Sequence, residues 1–147
     1  MPIWTKSKKK KNYGFHRMIT LASLVERESA VSHERPIIAA VFFNRLRKYM
    51  LLASDPTVTY ALGNPRKKRV TFKDLRIDSP YNTYKTPGLP PTPIASPGAA
   101  SFDAITSPAS LDYLFFVANR DGTHTFSHTY KAHYRKQMEI ENRFKTK

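Results

Sequence analysis

Glu26 and Glu28 stand two positions apart in the stretch LASLVERESA, Leu21 to Ala30, and helical periodicity sends them in different directions. At about 3.6 residues per turn, Met18, Leu21, Leu24 and Val25 form one apolar stripe. Glu28 falls near the middle of that stripe, whereas Glu26 points roughly the opposite way, beside Arg27 and towards water. A carboxyl desolvated in an apolar wall favours its neutral form, which is what a general acid requires at neutral pH, and cleavage of a glycosidic bond is a common use of such a group. The structural alternative is a glutamate paired with a guanidinium such as Arg35 or Arg45.

Other candidates have weaker spacing. His124, His128 and His133 lack the i, i+4 pair with a nearby acid that a helical zinc site uses, and no phosphate loop, nucleophile elbow or zincin motif is present, so neither metal nor cofactor is expected. Asn44 lies on a nonpolar helical face, where a core amide must find partners: backbone in the next loop or a substrate. Asp55 precedes Pro56 and is either a turn residue or a cleft carboxylate. Tyr81, Asn82, Thr83 and Tyr84 bring aromatic and amide groups into a proline-rich segment, either as a binding loop or as a cover over the core.

These residues need elements to position them. The patterning predicts a first helix from about Arg17 to Ala30 and a second from about Pro36 to Lys48, with Ser32 as a candidate cap and Pro36 in the first turn. The segment after Leu51 reads as a loop that extends briefly through the β-rich Val58-Thr59-Tyr60. Thr71 with Asp74 marks a short helix start. Residues 78–98 hold six of the chain's 11 prolines, too many for a helix or a central strand to persist. A short helix ending before Pro108 follows, then a hairpin from about Leu114 to Ser127 turning at Asn119-Arg120-Asp121-Gly122, then a polar, basic C-terminal helix. The expected fold is α+β: helices packed with a small antiparallel hairpin in a single compact domain that carries a long proline-rich loop.

The chain of 147 residues accommodates one domain with a real core. Lys and Arg number 25 against 11 acidic residues, a net charge of +14, which favours an anionic partner without choosing among nucleic acid, acidic lipid and acidic polymer. There is no cysteine, hence no disulfide framework. No apolar run approaches the roughly eighteen residues of a membrane span, and the basic N-terminus lacks the apolar segment of a signal peptide. Residues 1–16 read as a flexible basic tail and residues 17–147 as the folded domain.

Five motifs in order, LASLVERESA, ERPIIAAVFFNRLR, SDPTVTYALG, DSPYNTYKTPGLPPTPIASPG and LFFVANRDGTHTFSHTYKAH, resemble the catalytic domain of the MltG/YceG-like endolytic murein transglycosylases over about Met18 to Gln137. The resemblance implies that Glu28, the second glutamate of a V-E-x-E motif, is the catalytic acid of a lytic transglycosylase that cuts the MurNAc–GlcNAc β-1,4 bond to leave a 1,6-anhydro end. On that mechanism Tyr81, Asn82 and Tyr84 are candidates to bind the sugars by stacking and amide hydrogen bonds and Asp55 and His124 to line the cleft, with Asn44 a further substrate-binding candidate from its place on the second helix. Peptidoglycan strands and the synthesis machinery are the implied partners, and the bacterial cell envelope, at the periplasmic face of the inner membrane, is the implied location. The family's membrane anchor and LysM-like subdomain have no counterpart in this chain. Ala53 stands where the family often has Gln, and Thr92 and Ser96 where it has Gly and Asn, departures that bear on glycan affinity more than on catalysis. Two rival readings are a basic nucleic-acid-binding module, built on the Lys6–Lys11 and Arg66–Arg69 clusters, and an inactive peptidoglycan-binding remnant.

Overall fold

The computed structural model describes residues 14–145, so the Lys6–Lys11 cluster and most of the expected tail lie outside the described residues. The first helix, α1, spans Phe15–Glu28 and buries Leu21, Ala22, Leu24 and Val25 completely. It stops two residues earlier than the patterning predicts because Ser29 turns to extended backbone (φ −93°, ψ 131°), with both its N–H and its hydroxyl bonded to the Val25 carbonyl. Glu28 is therefore the last helical residue, free to project beyond the helix end.

A 3₁₀ turn at Ser32–Glu34 leads into α2, Arg35–Arg47, with Pro36 in its first turn as expected. Ser32 begins the 3₁₀ turn rather than capping α2, and its hydroxyl accepts a hydrogen bond from Arg35 Nη1 at 2.8 Å. This helix is apolar on most sides, and the fold accounts for that: Ile38, Ala39, Ala40, Val41, Phe42 and Phe43 are all buried, between α1 and α4 on one flank and the hairpin on the other. α4, Ala99–Thr106, ends before Pro108 and supplies Ala104 and Ile105 to the same core. Each large aliphatic or aromatic side chain buried there contributes about 1.5–3 kcal/mol of transfer free energy.

The segment after Leu51 departs from its expected extended form: α3 is a helix, Asp55–Ala61. The β-branched Val58 and Thr59 argue for strand locally, but extended Ser54, Asp55 in the first turn and Pro56 at the helix start form a strong initiation signal, and Val58 is buried in the domain. At Thr71 and Asp74 the reciprocal cap is present, each backbone N–H bonded to the other's side chain at 2.9 and 3.1 Å, but it opens only a 3₁₀ turn, Asp74–Arg76.

Strands β1, Phe115–Ala118, and β2, His124–Ser127, pair antiparallel with Phe116 opposite Phe126 and Ala118 opposite His124. Their turn places Arg120 (φ 68°) and Gly122 (φ 95°) in the left-handed region. α5, Tyr130–Lys145, lies over the hairpin and buries Ile140. The described fold is α+β, with one hydrophobic core and a proline-rich loop between the 3₁₀ turn at Asp74–Arg76 and α4. No described helix is long and apolar enough to cross a membrane.

Candidate active site

The last turn of α1 opens onto a cleft of about 470 Å³. Glu28 lines it together with Asp55, Tyr84 and His124, four residues separated by up to 96 positions in the chain. The Glu28 residue as a whole is only partly buried, but its carboxyl group is enclosed, and this burial, with the Asp55 carboxyl beside it, pushes its pKa up to about 8. The Ser54 hydroxyl donates to Oε2 at 2.9 Å, which opposes the shift only in part. Neither candidate guanidinium pairs with Glu28: Arg45 donates to the carbonyls of Leu114 and Leu51 at 2.6 and 2.7 Å, and Arg35 to Ser32. Oε1 has no hydrogen-bond partner among the described residues. A neutral carboxyl with one oxygen held and the other facing a cleft is equipped to give a proton to a ligand and take one back.

The wall opposite is built by bolting the proline-rich loop onto the start of α3. Thr83 accepts from the Ala53 N–H (3.1 Å) through its carbonyl and from the Ser54 N–H (2.9 Å) through its hydroxyl, which also meets the Thr57 hydroxyl at 2.8 Å. Ala53 is held at φ 49°, an unfavourable conformation for an alanine, costing about 1–2 kcal/mol, and this places Ser54 beneath Glu28. One residue on from Thr83, Tyr84 donates its hydroxyl hydrogen to Asp55 Oδ1. Burial raises the Asp55 pKa, a rise the Tyr84 hydroxyl moderates, and burial together with the Asp55 charge raises that of Tyr84.

His124 sits at the end of β2 with Nδ1 2.9 Å from Glu34 Oε1, while its backbone N–H donates to Glu34 Oε2 at 3.0 Å. This buried contact fixes the ring edge-on to Phe116, which also lines the cleft. His128 instead meets Asp112, and His133 stacks on Phe115, so the three histidines serve three separate local contacts. No group of three or more His, Cys, Asp or Glu positioned to hold a metal occurs among the described residues.

Three other sequence-predicted residues lie outside the cleft lining. Asn44 gives both amide hydrogens to the Leu111 and Tyr113 carbonyls at 2.9 Å and accepts from Arg47, so its partners are backbone, as one reading had it, but in the segment before β1 rather than in the next loop. Asn82, fully buried, gives both of its amide hydrogens to the Leu75 and Ile77 carbonyls, and its Oδ1 receives the Tyr84 N–H at 3.0 Å. It aims Tyr84 rather than reaching the cleft itself. Tyr81 packs its ring 4.9 Å from Tyr60 and shares a hydrogen bond with Thr92. Glu26 also differs from expectation: it does not stand free in water, because its Oε1 accepts from the Gly98 N–H at 2.9 Å and the Ser101 hydroxyl at 2.8 Å, capping α4 from across the fold. Those two bonds hold its pKa below the usual carboxylate range. Sequence reasoning missed Ser54 and Glu34 as supports of the site. Ser54 carries a local signal, as the residue before Asp-Pro at a helix start, whereas Glu34 is revealed only by the return of β2.

The model of the YceG-like family matches residues 2–139. The endolytic murein transglycosylase of Bacillus subtilis is 50% identical over 129 residues, which cover 87% of this chain and 36% of that protein. The endolytic murein transglycosylase of Streptococcus pneumoniae D39 is 39% identical over 115 residues, 76% of this chain and 21% of that protein. The crystal structure of a yceG-like protein from Listeria monocytogenes superposes with a TM-score of 0.81 at 46% identity, covering 86% of this chain and 41% of that one. The chain thus spans between about a fifth and about two fifths of the relatives it matches.

Proposed function

The chain belongs to the YceG-like family, and from that premise we propose that its cleft binds a peptidoglycan strand and cleaves the MurNAc–GlcNAc β-1,4 bond without water. Glu28 gives its proton to the glycosidic oxygen as the C1–O bond breaks, freeing the GlcNAc 4-hydroxyl. The resulting Glu28 carboxylate then accepts the proton of the MurNAc 6-hydroxyl as that oxygen attacks the anomeric carbon of its own ring. The products are a 1,6-anhydro-MurNAc end and a regenerated acid, so one carboxyl serves both halves of the reaction. The internal hydroxyl replaces the activated water for which other glycosidases need a second carboxylate.

The observation that carries this reading is the enclosed Glu28 carboxyl, pushed up to about 8 and anchored through Oε2 by Ser54. At neutral pH such a group is protonated, as the first step demands. Asp55 and Tyr84 support it from the facing wall, and His124, locked by Glu34, offers a ring edge to the sugar. Strands of this kind locate the active chain in the bacterial cell envelope, alongside the machinery that synthesises them. The test is digestion of purified sacculi by the chain and by its E28Q variant, with the soluble products read by mass spectrometry. Anhydromuropeptides from the parent alone support the proposal; products with reducing MurNAc ends, or undiminished release by E28Q, overturn it.

A further inference from the structure

Three cations line the same cleft as Glu28: Lys68 and Arg69 from the loop after α3, and Arg120 from the hairpin turn. Their segments are fixed. Arg27, adjacent to Glu28, donates to the Pro65 carbonyl and ties the loop to α1, while Lys67 is taken up by Asp74 in a 2.6 Å ion pair. Lys68 and Arg69 then follow, exposed and without an ion pair among the described residues. On the other side, a Cβ at Gly122 would meet the Ala30 and Val31 side chains at 3.8 and 4.0 Å, so the hairpin turn runs close to the chain just beyond Glu28. Arg120 holds its guanidinium 4.6 Å from the centre of the Phe144 ring, an ordering contact that leaves its hydrogen-bond donors available. Against these three stand Asp55, bonded to Tyr84, and Glu141 of α5, which forms no ion pair among the described residues.

A neutral sugar backbone gives these three cations nothing to pair with. The MurNAc unit of peptidoglycan, however, bears on its lactyl group a peptide stem with free carboxylates, and a strand placed for cleavage at Glu28 must direct one stem away from the acid. We infer that Lys68, Arg69 and Arg120 form an anion subsite that receives the carboxylates of the peptide stem next to the scissile bond, so that the chain distinguishes stem-bearing from denuded glycan. The inference rests on the reading of the cleft as a glycan site and adds what the strand must carry. Exposed charge pairs of this type are weak singly, and two or three together amount to about tenfold in affinity, screened by salt.

The test uses the 147-residue chain with E28Q, so that strands are bound but not cut. Dissociation constants are measured at low salt for soluble glycan oligomers with intact stems and for the same oligomers after an amidase has removed the stems. About tenfold tighter binding of stem-bearing oligomers is expected, shrinking towards unity at high salt and in a K68Q/R69Q/R120Q background. All three are turn or loop positions outside the core, and K68Q/R69Q alone should show an intermediate ratio, which separates loss of the subsite from disturbance of the turn. Equal binding of the two oligomers, or a ratio unchanged by the substitutions, overturns the stem subsite while the glycan site stands. Failure of E28Q to bind either oligomer overturns both.

Discussion

Replacing Glu28 with Gln separates chemistry from folding in one substitution. The amide keeps the shape and can still accept the Ser54 hydroxyl hydrogen, but it cannot donate a proton to a leaving group, so release of anhydromuropeptides should fall by roughly 10²–10⁴-fold or more. Stability should move the other way, with a sign fixed by the pKa. In the unfolded chain the carboxyl titrates near its ordinary value of 4.5, while in the native state it holds its proton to about pH 8. Below pH 4.5 both states are protonated and the group has no differential effect; as pH rises towards 8 the unfolded chain gains by ionising while the native chain does not, and stability is lost at about 1.4 kcal/mol per pH unit. At pH 7 the accumulated cost is about 3 kcal/mol, which E28Q does not bear, corresponding to roughly 10 °C in Tm for a domain of this size. Thermal melts of both proteins at pH 4, 5.5 and 7 should show E28Q gaining steadily on the parent, and kcat/KM of the parent should decline above pH 8. A Tm difference that does not change with pH would refute the claim that the carboxyl is held neutral, and an E28Q variant that unfolds would show that the carboxyl serves the fold through Ser54 rather than proton transfer.

Tyr84→Phe removes the only hydroxyl among the described residues that reaches Asp55 and should cost about 1–3 kcal/mol in thermal unfolding and lower kcat, whereas Tyr81→Phe, which loses one exposed bond to Thr92, should stay within about 0.5 kcal/mol. Glu26→Gln weakens the cap of α4 and should cost about 1 kcal/mol near pH 7 with cleavage retained; because the Glu26 pKa is depressed in the fold, its contribution is present above its ordinary pKa and disappears as the solution is acidified, a trend chemical denaturation at pH 3 and 7 would detect. Asn82→Ala strands the Leu75 and Ile77 carbonyls and should cost about 2–3 kcal/mol, with kcat falling as Tyr84 loses its aim; unchanged melting with a rise in KM alone would instead make Asn82 a glycan contact.

The residues legible in the sequence were those whose signal is local and periodic. Glu28 announced itself by interrupting an apolar stripe, the hairpin by two aromatic runs around Asn119–Gly122, and α2 by being apolar nearly all round. Val58-Thr59-Tyr60 misled because β-branched side chains report a backbone preference that a strong helix start and burial override. Asn44 and Asn82 were candidates because an amide among aromatics has the same sequence signature whether it meets a sugar or a carbonyl; only the positions of Leu111, Tyr113, Leu75 and Ile77 decide. The Glu26 contact with Gly98 and Ser101 spans more than seventy residues and leaves no trace in helical periodicity.

Three consecutive side chains at the end of α1 grip three different parts of the chain: Glu26 holds the start of α4, Arg27 the loop at Pro65, and Glu28 the Ser54 hydroxyl at the start of α3. One residue inserted or deleted upstream within this helix would rotate all three by about 100° and detach every grip together. The segment thus acts as a keyway: a substitution at Glu26 or Arg27 loosens one grip, whereas a change of length releases all three. Insertions that reshape the cleft have to enter between the anchors, after Pro65 and before Asp74 or between Tyr84 and Ile94, where the chain can lengthen without turning the key.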